Sequence, residues 1–241
     1  MAANLTIFIT AAGPAISGRL ASALAAAGHR VLVLGAATSD STAGSSCIPM
    51  SFGSRSAVAQ GFAKAAQQLG DADLIVHDAM PVMSGGALPM TAQSYAQWNE
   101  LTHVTVRAAL HCLQAAAEHF AHRAGSVLLL GPAMALVGAA GLVPLTTALE
   151  AQRSLMKSAA RQWGQKGLRL NWLALADANY PQLAGAAIPE GPELGPPPPA
   201  LGRGPEVGDA VAALVAFFGG PAATVLTGAT LNADGGNWMV P

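Results

Sequence analysis

Gly125–Gln152 reads GSVLLLGPAMALVGAAGLVPLTTALEAQ. Ser126–Leu130 is a short apolar run that predicts a buried strand. A Gly/Pro/Ala-rich loop follows, and a helix is expected to open near Pro144, because proline suits a first helical turn whose N–H groups have no partner. Beyond it, Leu145, Leu149, Met156, Ala160 and Trp163 recur at helical spacing, with Glu150, Arg153, Lys157 and Arg161 elsewhere around the helix. The uncharged run Gly125–Leu149 is long enough to span a bilayer, but its glycines and prolines favour strand, loop and helix over a membrane segment.

The same alternation extends in both directions. Leu5–Thr10 (LTIFIT) predicts a first strand, AAGPAISGRLASALAAAGHR a turn and an Ala-rich helix ending at Gly28, and Val31–Leu34 a second strand. Val58–Leu69 reads as a helix, Asp73–Val76 as the fourth strand, Ser94–Phe120 as one long helix and Arg169–Ala174 as the sixth strand. Val207–Phe218 predicts a further helix, and Thr227–Gly236 the last strand and its turn. The fold class that follows is α/β, a single Rossmann-like doubly wound domain over residues 1–241. A parallel sheet of about seven strands with helices on both faces is expected. Thr38–Ser46 is small and polar, a loop. Pro181–Pro205 holds half of the chain's prolines, including the run Pro196–Pro199, and predicts a polyproline strap or surface loop.

At 241 residues the chain suits one α/β domain. Charged residues are 10% against 52% hydrophobic, which leaves little charge to cover a free monomer and points to large subunit contacts. A formal net charge of -1 gives no reason to expect nucleic acid or an anionic membrane as partner. The N-terminal residues lack a basic region and run straight into a strand, unlike a signal peptide. Cys47 and Cys112 have no metal-type spacing and read as buried free thiols of a reducing cytoplasm.

These elements and spacings resemble the short-chain dehydrogenase/reductase family along nearly the whole chain. The family carries a serine after the fifth strand and a Tyr-x-x-x-Lys pair on the next helix. Here Pro132 falls at the serine, Leu145 at the tyrosine and Leu149 at the lysine. A Tyr-x-x-x-Lys spacing stacks both side chains on one helix face. Tyrosine's ordinary pKa of about 10 needs an adjacent ammonium to be useful near neutrality. Leucines keep the apolar stripe and exchange no proton. Pro132 has neither hydroxyl nor N–H. The two tyrosines, Tyr95 and Tyr180, have no lysine four residues on.

The cofactor positions that the resemblance implies depart as well. In the Thr-Gly-x-x-x-Gly-x-Gly turn, Thr10 stands at the threonine, while Ala11, Ala15 and Ser17 replace the glycines and Pro14 removes a donor. Gly35 and Ala36 occupy the place of the carboxylate that holds the adenosine ribose, and Ser51 that of the aspartate near the adenine. The family's Asn-Asn-Ala-Gly is His77-Asp78-Ala79-Met80 here. Thr105 stands at the helix asparagine that holds a relay water in relatives. Leu175-Ala176 replaces Pro-Gly after the sixth strand, although Asn171 of Arg-Val-Asn is kept.

His77 and Asp78 sit at a strand end, where α/β proteins bind ligands, but point to opposite faces and read as a hydrogen-bonded structural pair rather than a dyad. His103, Arg107 and His111 form a mixed basic stripe without a carboxylate, so no metal site is expected. Three functions remain. The adopted reading is a non-catalytic cytoplasmic subunit that binds no cofactor itself and assembles with an active paralogue carrying NAD(P), as a dimer or a two-plus-two tetramer. The alternatives are an enzyme rebuilt around His77, Asp78, Thr105 or Asp177, and a small-molecule sensor using the vacated cleft.

Overall fold

Apolar runs without alternation belong to strands covered on both faces, as parallel strands are. Ile7, Phe8 and Ile9 are all fully buried. The computed structural model describes residues 4–12, 14–35, 47–83, 87–183 and 198–239. Its strands are β1 (Thr6–Ala11), β2 (Arg30–Gly35), β3 (Cys47–Pro49), β4 (Leu74–Asp78), β5 (Gly125–Pro132), β6 (Leu168–Leu175) and β7 (Thr230–Ala233). They form one sheet in the order β3-β2-β1-β4-β5-β6-β7, with every neighbouring pair parallel. The helices are α1 (Pro14–Ala26), α2 (Arg55–Leu69), α3 (Tyr95–Asn99), α4 (Thr105–His119), α5 (Val143–Trp163) and α6 (Asp209–Gly219). On one face α1 packs with α6; on the other, α2, α4 and α5 lie side by side. A single hydrophobic cluster runs from Leu5 to Phe218 through both layers. The expected Rossmann-like domain is the observed one.

Boundaries differ for local reasons. α2 opens at Arg55 because Ser54 caps it, accepting a hydrogen bond from the Ala57 N–H (3.2 Å). The helix expected over 94–120 is three pieces. Ser94 and Gln97 form a reciprocal capping box at the start of α3, a π turn covers Glu100–Val104, and α4 continues from Thr105. Thr102 donates its hydroxyl back to the Trp98 carbonyl (2.7 Å), the contact by which a threonine bends a helix. β4 extends to Asp78, so His77 and Asp78 lie inside the ladder.

Cys112 is buried, but Cys47 is exposed, contrary to the expectation of two buried thiols. It opens β3, a three-residue edge strand with a neighbour on one side only. The expectations placed on Gly13, Ala36, Thr38–Ser46 and most of the proline-rich segment lie outside the described residues, as does the side chain of Ala15. Among the described residues no helix is long and apolar enough to cross a membrane.

Candidate functional site

The strand–loop–helix unit over 125–163 carries the three positions that the resemblance matched to catalytic residues, Pro132, Leu145 and Leu149, and all three are buried. Pro132 ends β5 and is buried. Leu145 and Leu149 are 1% and 0% exposed, and both belong to the central hydrophobic cluster. Each contributes roughly 1.5–3 kcal/mol by burial. Thr105, the first residue of α4, is buried directly after the π turn. A helix distortion is therefore present directly before Thr105, the residue that the resemblance matched to an asparagine.

At the nucleotide turn, β1 runs to Ala11 and α1 begins at Pro14, so only two residues connect them. Ser17 is buried in α1. Gly35 ends β2 beside Ala11, and a Cβ built on it would lie 2.0 Å from the Ala11 carbonyl oxygen. No side chain of any kind fits at 35 without separating the two strands. Ser51 lies beyond β3, exposed, and its hydroxyl accepts from the Gly53 N–H (3.2 Å).

His77 and Asp78 do not bond to each other. Their side chains leave opposite faces of β4, and each finds separate partners, so the expected structural pair is two independent arrangements. His77 Nδ1 hydrogen-bonds the Thr10 hydroxyl on β1 (2.8 Å), which is also directed at the Val76 carbonyl (3.3 Å). Burial lowers the imidazole to about 4, opposed by the Gln152 amide beside it. Gln152, fully buried on α5, donates to the Ala79 carbonyl (3.0 Å). Burial raises the Cys112 thiol of α4 to about 12, opposed by a hydrogen bond with Thr10.

On the other side, Asp78 Oδ1 accepts from the Met80 N–H (3.1 Å), and burial raises its carboxyl to about 7. Tyr180 is buried beyond β6, and its hydroxyl has no hydrogen-bond partner among the described residues. Burial first, then the charges of Asp78 and Asp177, push the phenol well above its ordinary range. Asp177 accepts from the Met134 N–H (3.0 Å) and, more weakly, from Trp238 Nε1 (3.5 Å); burial outweighs these bonds and raises it too. Asp234 accepts from the backbone N–H groups of Gly236 and Trp238, both at 2.9 Å, so the C-terminal residues fold over their own strand ends.

Sequence reasoning missed Gln152, Tyr180, Asp234 and the Thr10–Cys112 contact. Gln152 was within reach: Leu145, Leu149, Gln152 and Met156 continue one helical stripe, so a polar residue there had to be buried. Tyr180 follows a strand end, where no periodicity reports burial. His111 is also no part of an exposed stripe, since its Nδ1–H donates to the Phe52 carbonyl (2.8 Å); His103 and Arg107 are exposed. No group of potential metal ligands occurs among the described residues.

Between the end of β4 and the π turn lies a cavity of about 270 Å³. Its walls include Phe52, Met80, Val82, Leu101, Val104 and Ala108, and its polar lining is His77, Asp78, Glu100 and Thr105. The ring of Phe52 meets His77 edge-on at 6.3 Å.

Residues 11–237 match the family profile described as enoyl-(acyl carrier protein) reductase, and the chain belongs to the short-chain dehydrogenase/reductase family. It is 30% identical over 156 residues to the short-chain dehydrogenase/reductase aba4 of Botryotinia fuckeliana, covering 63% of this chain and 60% of the fungal protein's length. To the probable 2,4-dienoyl-CoA reductase of Bacillus subtilis (strain 168) it is 26% identical, over 81% of this chain and 77% of that one. In three dimensions it is similar to the 3-ketoacyl-(acyl-carrier-protein) reductase from Brucella melitensis complexed with NADH. The TM-score is 0.79 at 16% identity, over 97% of this chain and 98% of the other, a likeness of fold.

Proposed function

We propose that this chain is a non-catalytic subunit of a heteromeric NAD(P)-dependent short-chain dehydrogenase, with the cofactor and the proton chemistry on an active paralogue. The observation that carries this reading is the burial of Leu145 and Leu149 in the core, where relatives of the resembled pattern have their tyrosine and lysine. A proton donor cannot be made from either. The cofactor positions support it: Gly35 leaves no room for a ribose-binding carboxylate, and Ala11 and Ser17 stand where glycines approach the pyrophosphate.

A rebuilt active site has one feature in its favour, the grouping of buried Asp78 and Tyr180 with half-buried Asp177. Its electrostatics run the wrong way, because a phenol pushed well above its ordinary range by burial, and further by two carboxyls, is a poorer proton donor near neutrality. The chain resembles the inactive subunit of the 2-[hydroxy(phenyl)methyl]succinyl-CoA dehydrogenase of anaerobic toluene degradation. A partner acting on an acyl-CoA-type hydroxy substrate fits the thioester names among the relatives. Co-expression with a neighbouring intact paralogue, native mass spectrometry and assays of the paralogue with and without this chain form the test. The expected outcome is a stable mixed dimer or two-plus-two tetramer with altered stability or turnover of the paralogue. A homo-oligomer beside a fully active, stable paralogue defeats the proposal.

A further inference from the structure

The exposed face of the two long central helices carries free charge of largely one sign. α4 and α5 lie side by side and each buries one stripe, so Arg107 and Leu110 of α4 and Ser154, Lys157, Ser158 and Arg161 of α5 are left exposed. The two helices hold two carboxylates, and each is already paired, Glu118 with Arg55 of α2 and Glu150 with Arg153. Arg107, Lys157 and Arg161 have no ion pair among the described residues. Glu100 of the adjoining π turn, also without an ion pair there, offsets part of this excess. A chain of formal net charge -1 thus concentrates positive charge on one helical face.

Two copies meeting here about a twofold axis would set the same patch against itself. Arg107, Lys157 and Arg161 would lose water on a face shared with the same three cations, with only Glu100 to offset them. A helical face bearing carboxylates turns that repulsion into attraction. Val104 and Leu110, 51% and 39% exposed, stand one turn either side of Arg107 and add apolar contact, which suits a protein surface rather than a polyanion.

We propose that the exposed face of α4 and α5 is a subunit contact selective for an acidic helical face on a homologous chain, and that its charge rejects a second copy of this one. This selectivity rests on the subunit reading and adds to it the means by which the partner is chosen. The mixed basic stripe of His103 and Arg107 then belongs to the contact, with Lys157 and Arg161 extending it onto α5.

The probe is this chain with its charge reversed, Arg107→Glu/Lys157→Glu/Arg161→Glu, which presents an acidic face on the same backbone. All three side chains are exposed, so the denaturation midpoint should stay at the wild-type value. In native mass spectrometry and analytical ultracentrifugation, an equimolar mixture of wild type and variant should give a mixed assembly that neither chain forms alone. Its affinity should fall about tenfold or more between about 0.05 and 0.5 M NaCl. Leu110→Glu in the wild-type copy should abolish it. With the neighbouring paralogue, the reversed chain should fail to replace wild type. A wild-type homodimer dissolved by Leu110→Glu, no mixed assembly, a mixed assembly indifferent to salt, or a paralogue complex that takes the reversed chain equally well overturns the proposal. Retention of a DNA duplex by wild type without a mixed assembly also overturns it, in favour of a polyanion. Absence of any paralogue complex beside an intact mixed assembly defeats the subunit reading and leaves the selectivity of the face standing.

Discussion

At the scale of single residues, Leu149 is the position at which the non-catalytic reading is most directly tested. An ammonium at 149 would sit at 0% exposure among the residues of the central cluster. Leu149→Lys should therefore destabilise the chain by about 3 kcal/mol or more in urea denaturation. The Leu145→Tyr/Leu149→Lys double variant should still show no hydride transfer; measurable turnover with NADH would show a nucleotide site more intact than the geometry suggests. Gly35→Asp, the obvious way to restore a ribose contact, should cost upwards of about 2 kcal/mol, because its Cβ meets the Ala11 carbonyl at 2.0 Å. Wild-type-like stability of that variant would mean that β1 and β2 separate easily there.

Two neighbours on β4 set opposing pH dependences. His77 is lowered from 6.5 to about 4, so its contribution is present above the unfolded value and is lost as pH falls from about 6.5 through 4. Asp78 is raised from 3.8 to about 7, so its contribution is present below the unfolded value and is lost as pH rises from about 4 through 7. Each swing is on the order of 3 kcal/mol, and in the shared window they nearly cancel. Between about pH 4.5 and 6.5 the contributions of these two residues to the wild-type denaturation midpoint should therefore largely offset each other. Asp78→Asn should gain stability with rising pH across this window, and His77→Gln should lose it. Parallel profiles for the two variants would contradict the assignment.

At the scale of elements, the π turn lines the cavity with Glu100, Leu101 and Val104 and leads directly into α4. α3 is five residues long, too short to persist on its own, and depends on the Ser94–Gln97 capping box and the turn that follows. Ser94→Ala should cost about 1 kcal/mol. The loss should appear as faster amide hydrogen exchange across 95–104, with α4 beyond Thr105 unaffected. Uniform acceleration through α4 would mean that the π turn transmits rather than absorbs the change. The loop before α5 is anchored similarly: the Leu88 N–H donates to the Gly141 carbonyl (2.9 Å), and Gly141 takes a φ of 77° that favours glycine.

At the scale of the whole molecule, the surface supports the assembly reading. Val104 and Leu110 of the central helical segment are 51% and 39% exposed, and Val225 and Met239 near the C-terminus are 86% and 78% exposed. Large apolar side chains on these two regions, in a chain with 10% charged residues, suit two separate subunit contacts. Leu110→Glu should shift the native mass spectrum of the assembly toward smaller species while the chain's own denaturation midpoint changes by less than about 0.5 kcal/mol in free energy. An unchanged oligomer would remove α4 from the interface.

The order of strands and helices, the single domain and the absence of a Tyr-x-x-x-Lys pair were all legible in the residues themselves. Apolar runs and helical stripes are local patterns, and a leucine at 145 or 149 cannot donate a proton in any fold. Gln152 was legible too, as a polar break in a buried stripe. Tertiary structure alone decided the rest. The contacts of Thr10 with His77 and Cys112, the burial of Tyr180 within reach of the charges of Asp78 and Asp177, and the steric closure at Gly35 join residues from different strands and helices, so spacing along the chain does not report them. The cavity is likewise a property of how β4 meets a π turn that no helical period announces. Chemistry that is missing can be read from side-chain identity; chemistry that is present depends on which side chains the fold brings within bonding distance and how far it removes them from water.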